Sequence, residues 1–247
     1  MLHGMLGSHR YWDGVVPSLS KRHQLVLLDL LGFGESPKPD IEYLVQQHLL
    51  QIENVIKRSS ADEERLVFVG HSMGAFLALN YAILHPEQVS KLILINAPMK
   101  TDEASLIKAI AESSSQLMVT MTFSKTWGKL VCKIHEFIPF ITYPLIRLFE
   151  PSLPPAVAKA AGQHTYESYS RTFENILLKQ DFYSLLAKVP DIPVLIIASS
   201  RDEYTNDRAL ESLPQRSNLK LVLVQGNHNV LLKDPDLISE EILKFIE

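Results

Sequence analysis

The sequence predicts an α/β protein with a mostly parallel sheet, flanking helices and an inserted helical segment. Short, continuous apolar runs, typical of strands buried on both faces, alternate with helical patterns over residues 1–99. The alternation stops over residues 100–188, where helical spacing dominates, and returns over residues 189–247. Strands that alternate with helices predict a parallel sheet. We therefore expect one core domain, residues 1–99 and 189–247, interrupted by a helical cap at 100–188.

The composition narrows the classes of protein that this chain can represent. Its 247 residues are 46% hydrophobic, which is enough to bury a sizeable core. The net charge of −4 provides no overall basic field, so nucleic acid and anionic membranes are not expected partners. The single cysteine, Cys132, excludes an intrachain disulfide and fits a reducing compartment, which predicts a cytoplasmic location.

Membrane and export signals are also not apparent in the sequence. No basic N-terminal segment leads into a long apolar stretch, so we expect no signal peptide. No window approaches about 18 consecutive apolar residues, so we expect no integral membrane segment. No pattern in the sequence indicates an oligomeric state.

The first elements follow in order along the chain. Residues 1–2 resemble the end of a strand, and a loop beginning with His3-Gly4 follows at once. A short helix is predicted over residues 11–19 and a buried parallel strand over residues 24–30. A longer helix is predicted over residues 41–57.

The chain then carries a Gly-x-Ser-x-Gly motif between a predicted strand at 66–69 and a predicted helix at 73–84. This context indicates a nucleophile elbow, a sharp turn that exposes a serine hydroxyl above the sheet. Gly70 and Gly74 provide the space that such a turn around Ser72 needs, because glycine has no Cβ. The alternative is a glycine-rich turn that carries an ordinary serine.

The remaining elements complete the α/β pattern around the predicted cap. A buried strand is predicted at 91–96, and helical spacing follows in the cap, for example at Ala104, Ile107 and Ala111. A second apolar stripe in the cap comprises Trp127, Leu130, Val131 and Ile134. After the cap we predict strands at 193–199 and 220–224 and helices at 207–213 and 236–246.

A serine nucleophile needs a base, and that base needs an acid to orient it and stabilise its charge. Such groups gather at the carboxyl ends of the strands in open α/β sheets. Asp202 follows the strand at 193–199, and His228 follows the last strand. The order Ser72, Asp202, His228 is the order that the elbow motif predicts. Glu203 is the nearest rival for the acid, and Asp102 is a weaker one.

The oxyanion of an acyl-transfer reaction needs backbone N–H donors. Met73, directly after Ser72, is one candidate donor, and Met5 in the first loop is the other. Gly4 allows that loop to pass close to the site, and the His3 side chain is expected to brace it.

A second glycine-containing loop, residues 29–36, has no full dinucleotide-binding fingerprint, because a third glycine opening a helix is absent. We interpret it as a structural turn in which Asp29 binds backbone amides. No cluster has the spacing of zinc ligands. We therefore expect neither a metal nor a cofactor.

Together these residues resemble the α/β-hydrolase superfamily. The matching motifs are His3-Gly4, Asp29-x-x-Gly32-x-Gly34-x-Ser36, Gly70-His71-Ser72-Met73-Gly74, the Asp202 segment and Gly226-Asn227-His228. The resemblance implies an α/β-hydrolase fold, with Ser72, Asp202 and His228 as the catalytic triad and Met5 and Met73 as oxyanion donors. Epoxide hydrolases and haloalkane dehalogenases of this superfamily have an aspartate nucleophile, so the serine at position 72 argues against both.

One feature departs from the family pattern. Members of the superfamily have two strands and most of a third before the His-Gly loop, whereas only residues 1–2 precede it here. The third strand would lie between the strands at 25–30 and 66–69. We therefore expect that the N-terminal strands are truncated or that the start of the chain is misassigned.

The favoured function is a serine hydrolase that cleaves an ester or thioester of a small, partly apolar acyl substrate through an acyl-enzyme. The apolar stretch at 137–144 indicates either an apolar part of the substrate or ordinary packing of the cap on the core. Two alternatives stay open. The same triad could serve a carbon–carbon bond hydrolase or lyase, or the fold could bind a ligand without turnover.

Overall fold

A computed structural model describes residues 1–59, 65–99, 103–113, 122, 124–149, 153–205 and 207–247. At its centre is a four-stranded parallel sheet in the order β1-β2-β3-β4. Asp102 and the first residues of the predicted cap lie outside the described residues. The strands are β1 (Leu66–His71), β2 (Val89–Ile95), β3 (Val194–Ser199) and β4 (Leu219–Val224).

Helices surround the sheet on both faces. Outside the segment between β2 and β3, the described helices are α1 (Val16–Leu19), α2 (Val45–Arg58), α3 (Met73–Leu84), α10 (Asp207–Glu211), α11 (Val230–Lys233) and α12 (Pro235–Ile246). Between β2 and β3 the described elements are α4 (Glu103–Ser113), α5 (Lys125–Phe137), α6 (Pro139–Phe149), α7 (Pro155–Ala161), α8 (Tyr166–Thr172), a π-helical turn (Phe173–Leu178) and α9 (Phe182–Lys188).

The alternation of side chains along β2 divides the hydrophobic core into two layers. Leu92 and Leu94 pack in the layer that contains α2 and α3, whereas Ile93 and Ile95 pack in the layer that contains α1 and α12. Successive side chains of a strand point to opposite faces of the sheet. The continuous apolar run therefore covers both faces, as the sequence pattern predicts.

Helix α3 has the bounds that the sequence predicts, Met73–Leu84. Its sequence is apolar on nearly every side, and a helix of this kind is stable only inside a core. It packs against β1 and β2, so it fixes the turn that joins it to β1.

The prediction of a strand over residues 24–30 is wrong. Within the described part of this run, Leu28 makes an isolated parallel bridge with Leu2 in place of a ladder. Leu2 also bridges Gly70, so it lies between the segment that contains Leu28 and the strand β1. A strand needs backbone pairing along its length, and the apolar content of a run indicates burial rather than pairing.

Two predicted helices begin or divide differently in the structure. The helix predicted over 11–19 consists of a 3₁₀ turn, His9–Trp12, and the short helix α1. The helix predicted over 41–57 begins at Val45, because Tyr43 has a φ of 51°, which lies outside the right-handed helical region.

The described elements between residues 103 and 188 are all helical, as the sequence predicts for the cap. The division into a core domain and a cap stays a prediction. Among the described residues, no helix combines the length and the apolar character that crossing a bilayer requires.

Buried histidines make the stability of this fold dependent on pH. Burial, and to a lesser extent the nearby His3, lowers the pKa of His48 to about 4. The unfolded chain protonates the same side chain at about pH 6.5. Since the unfolded state binds the additional proton, stability decreases as the pH falls from about 6.5 towards 4.

We expect His48→Gln to reduce this pH dependence by up to about 1.4 kcal/mol per pH unit between pH 6 and pH 5. Glutamine retains a polar partner for the Thr172 hydroxyl, which lies 3.3 Å from His48 Nε2. The measurement is the free energy of urea unfolding at pH 7, 6 and 5, with the m-value as a control for compactness. An unchanged slope in the variant would contradict the assignment of a neutral, buried imidazole.

Candidate active site

The turn between β1 and α3 holds Ser72 in a strained backbone conformation, with φ 53° and ψ −118°. Its N–H donates to the Ile95 carbonyl at 2.9 Å, which ties the turn to β2. A Cβ at Gly70 would lie 2.4 Å from the Gly74 carbonyl oxygen, and a Cβ at Gly74 would lie 2.2 Å from that of Leu2. Only glycine fits at these two positions, so both residues are needed for the tight turn.

The structure brings together the three side chains that the sequence predicts as a triad. Ser72 Oγ lies 3.0 Å from His228 Nε2. His228 Nδ1 lies 3.1 and 3.2 Å from the two carboxylate oxygens of Asp202. Because an ionised carboxylate only accepts hydrogen bonds, Nδ1 carries the proton and Nε2 accepts from the serine hydroxyl.

Asp202 is buried, and its carboxylate also accepts a hydrogen bond from the Tyr204 N–H at 2.9 Å. The rival acid Glu203 is exposed to solvent. The Tyr204 ring lies edge-on to the His228 imidazole, with 4.6 Å between the centroids. The loop after β3 therefore holds the Asp202 carboxylate in place and provides the Tyr204 ring that contacts the His228 imidazole.

The first loop passes directly beside Ser72. A Cβ at Gly4 would lie 3.1 Å from Ser72 Cβ, so a side chain at this position would crowd the serine. His3 is fully buried and braces the loop, since Nδ1 donates to the Gly4 carbonyl at 2.7 Å and Nε2 accepts from Leu30 N–H at 2.9 Å. Among the described residues, neither the Met5 nor the Met73 N–H donates to a protein acceptor.

Asn96, at the end of β2, is a site residue that the sequence reasoning did not identify. Its side-chain carbonyl accepts from Ser199 N–H at 2.9 Å, and its amide nitrogen lies 2.9 Å from Ser199 Oγ. The same nitrogen contacts the carbonyls of Asn227 and His228 at 3.2 and 3.0 Å. Asn96 therefore connects the loop that carries Asp202 to the loop that carries His228. The sequence signal that could have identified Asn96 is its position as a polar residue at the end of the strand next to β1.

His71 supports the histidine loop from the other side. Its Nε2 donates to the His228 carbonyl at 3.0 Å, and Tyr11 stacks on its ring at 4.8 Å between centroids. The Tyr11 hydroxyl in turn donates to Asn229 at 2.8 Å. Burial, followed by the proximity of His228, lowers the pKa of His71 to about 3. His71 is therefore neutral and adds no positive charge beside the His228 imidazole.

Asp29 occupies the structural turn that its sequence context predicts. Its carboxylate accepts N–H bonds from His9 and Glu35, each at 2.6 Å. Burial opposes its ionisation, but these bonds outweigh burial and lower the pKa of Asp29. Within the described residues, no group of three or more His, Cys, Asp or Glu side chains could hold a metal ion.

The parallel sheet and the strained serine at a strand-to-helix turn define the class of α/β proteins that carry a nucleophile elbow. A family model for the alpha/beta hydrolase fold matches residues 1–235. The chain belongs to this family. The crystal structure of E-2-(acetamidomethylene)succinate hydrolase superposes with a TM-score of 0.75 and 20% sequence identity, covering 99% of this chain and 89% of that one.

Two relatives indicate the range of functions in related sequences. A 2-hydroxy-6-oxo-6-(2'-aminophenyl)hexa-2,4-dienoic acid hydrolase from Metapseudomonas resinovorans is 35% identical over 195 residues, covering 78% of this chain and 62% of the relative. A (lyso)-N-acylphosphatidylethanolamine lipase from Mus musculus is 36% identical over 116 residues, covering 44% of this chain and 33% of the relative. The chain thus spans less than two thirds of the length of these relatives.

We expect Asn96→Ala to lower kcat for the hydrolase reaction about 10- to 100-fold with little change in KM. The substitution leaves the buried Ser199 N–H without its acceptor, and such a loss costs about 1–3 kcal/mol. It also removes the link to the Asn227 and His228 carbonyls, which keep their bonds from Val230 N–H and His71 Nε2. The measurement is steady-state kinetics together with the pH dependence of kcat, which reports the ionisation of the essential acid and base in the enzyme–substrate complex. Asn218→Ala is a matched control, because Asn218 donates to the Ile192 carbonyl at the other end of β3. An equal loss of kcat in both variants would contradict a positioning role for Asn96.

Proposed function

We propose that this protein is a serine hydrolase that cleaves an ester or thioester through an acyl-enzyme. The observation that supports it is the continuous contact from Ser72 Oγ to His228 Nε2 and from His228 Nδ1 to the Asp202 carboxylate. A serine hydroxyl becomes an effective nucleophile only when a base within hydrogen-bond reach removes its proton. This contact provides that base and the acid that orients it.

In the first half of the reaction, Ser72 Oγ attacks the substrate carbonyl carbon and His228 Nε2 takes the hydroxyl proton. Asp202 stabilises the resulting imidazolium through the Nδ1–H bond. The tetrahedral intermediate collapses, the carbonyl–leaving-group bond breaks, and the Nε2 proton passes to the departing alkoxide or thiolate. The product of this half is an ester between Ser72 and the acyl group.

In the second half, a water molecule donates a proton to His228 Nε2 as its oxygen attacks the acyl carbon. The Nε2 proton then returns to Ser72 Oγ as the acid product leaves. In both halves negative charge develops on the carbonyl oxygen. The Met5 and Met73 N–H groups are the proposed donors to this oxyanion, and Met73 lies at the positive N-terminal end of α3.

The mouse relative is named as a lipase of (lyso)-N-acylphosphatidylethanolamine, which supports an acyl ester as the bond that is cleaved. The substrate proposed for this chain is accordingly a small molecule with an acyl group and a partly apolar portion. The predicted cap, which lies between β2 and β3 in the chain, would contribute the walls around that portion.

A second candidate is the hydrolysis of a carbon–carbon bond, which the Metapseudomonas relative supports. A hydroxy-oxo-dienoic acid has no ester, so its hydrolysis breaks a bond next to the oxo carbon. A carboxylate substrate of this kind favours an arginine in the site. Of the two arginines in the predicted cap, Arg171 pairs with Asp40 at 2.6 Å, and Arg147 donates to the Leu153 carbonyl. Both are engaged in these contacts, so we rank this candidate second.

We expect Ser72→Ala to reduce the hydrolysis of p-nitrophenyl acyl esters at least about a thousandfold, because it removes the nucleophile. The measurement combines steady-state kinetics with covalent labelling by a fluorophosphonate probe, followed by mass spectrometry of the labelled peptide. Ser239→Ala is the matched control: Ser239 is also a buried serine, and its hydroxyl donates to the Pro235 carbonyl at 2.7 Å.

Three outcomes separate the alternatives. Label on Ser72 with ester turnover supports the acyl-enzyme, and esters of graded chain length then define the acyl site. Label on Ser72 without ester turnover, but with cleavage of an oxo-dienoic acid, favours the carbon–carbon hydrolase. Absence of label in the folded protein contradicts a nucleophilic serine and leaves a binding function on this fold.

A further inference from the structure

Two adjacent helices, α5 and α6, present large apolar side chains to solvent. On α5, the exposed fraction is 58% for Trp127 and 76% for Phe137, and on α6 it is 75% for Phe140 and 71% for Leu148. Isolated exposed apolar residues are ordinary, but several large aromatic and aliphatic side chains on one helix pair mark an interaction site.

The apolar face of α5 points away from the protein. At about 100° per residue, Trp127, Leu130, Ile134 and Phe137 fall within an arc of about 80°. The buried residues of the same helix, Gly128 and Cys132, lie on roughly the opposite side. The helix is therefore anchored by its small side chains, while its large apolar side chains face outward.

This exposure answers a question that the sequence leaves open for residues 137–144. Phe137 and Phe140 are each about three quarters exposed, so neither packs on the core. The alternative of ordinary packing is therefore wrong for these two side chains.

Basic residues flank the apolar face. Lys125, Lys129 and Lys133 follow one another at four-residue intervals, are all exposed, and occupy the arc of α5 next to Phe137. Lys129 also pairs with Glu167 at 3.2 Å, so Lys125 and Lys133 are the lysines that the proposal below depends on. Residues 125–149 contain four basic residues and one acidic residue, a net charge of +3, whereas the whole chain has a net charge of −4. The expectation that anionic membranes are not partners was based on the net charge of the whole chain. That net charge does not reveal the local excess of positive charge on this segment.

We propose that the outward face of α5 and α6 docks on the surface of a membrane that contains anionic lipids. An outward arc of Trp, Phe and Leu bordered by lysines is the pattern of a helix that lies in the plane of a lipid interface. The lysine stems extend towards the phosphate groups while the aromatic rings enter the headgroup region. The docking proposal goes beyond the hydrolase reaction and holds independently of it.

Charge decides between a lipid surface and a second copy of the chain. Two copies that meet through this face bring together two segments of net positive charge, which repel one another even though Lys129 is paired with Glu167. An anionic lipid surface attracts the same lysines, with a contribution that falls as salt is added.

The protein contains its own reporter for this contact. Its two tryptophans are Trp12, which is fully buried, and Trp127, which is 58% exposed. We expect phosphatidylcholine vesicles with about one third phosphatidylserine to shift the tryptophan emission to shorter wavelength, because Trp127 leaves water. Phosphatidylcholine vesicles alone should give a smaller shift. The experiment uses Ser72→Ala, so that hydrolysis of the lipid does not affect binding and a failure of the proposed chemistry leaves this result intact.

Two sets of variants test the residues involved. The triple variant Leu130→Ser, Phe137→Ser, Phe140→Ser should weaken vesicle binding at least tenfold, as measured by Trp127 emission and by co-sedimentation. The double variant Lys125→Gln, Lys133→Gln should reduce the preference for phosphatidylserine and the dependence on salt.

The control triple variant is Leu50→Ser, Leu84→Ser, Leu223→Ser, which changes three leucines with exposed fractions of 58%, 58% and 54%. It should bind vesicles as well as the parent protein, which is the Ser72→Ala variant with no further change. Melting temperatures verify that each variant is folded. The proposal is overturned if the folded parent protein does not bind vesicles or if both triple variants lose binding equally. It is also overturned if emission shifts with protein concentration in the absence of lipid, since the face then binds a second copy.

Discussion

The sharp turn at Ser72 is the constraint on which the rest of the site depends. A positive φ at a non-glycine residue costs about 1–3 kcal/mol and persists only where the surroundings enforce it. Here β1 and α3 are both embedded in the core, and the Ser72 N–H is bonded to Ile95. The turn can close only because Gly70 and Gly74 leave room for the neighbouring backbone. Once it is closed, the hydroxyl stands above the sheet, and the Gly4 loop has to pass against it.

The order of the strands places the remaining groups. Ser72 follows β1, Asn96 follows β2, Asp202 follows β3 and His228 lies beyond β4, so four adjacent strands each deliver one polar side chain to the same edge. In a parallel sheet the carboxyl ends of the strands lie along one edge, so these groups come together there. Asn96 then connects the loops on either side of it, and this explains how two irregular segments hold an imidazole within hydrogen-bond reach of the serine.

Sequence patterns predicted the features that depend on local sterics or on regular periodicity. The glycines around Ser72 and the bounds of α3 belong to this group, as does the order of the strand ends that carry polar residues. The prediction of a strand at 24–30 was wrong because the apolar content of a run indicates burial, whereas a strand also requires a paired backbone neighbour. Asn96, in contrast, was not predicted as a site residue. A residue that acts by joining two loops distant in sequence has no local pattern from which that role can be predicted.

The absence of a local sequence signal also explains why the outward orientation of α5 was not predicted. Helical periodicity defines an apolar face, but it does not specify whether that face meets the core or the exterior. Here the interior side holds Gly128 and Cys132, which allow close approach, and the large side chains project outward. Apolar area left in water forgoes about 25 cal/mol per Å² of stabilisation, so this arrangement favours a surface of low polarity that covers it. The lysines beside that face favour an anionic one, and together the two preferences are those of a lipid interface.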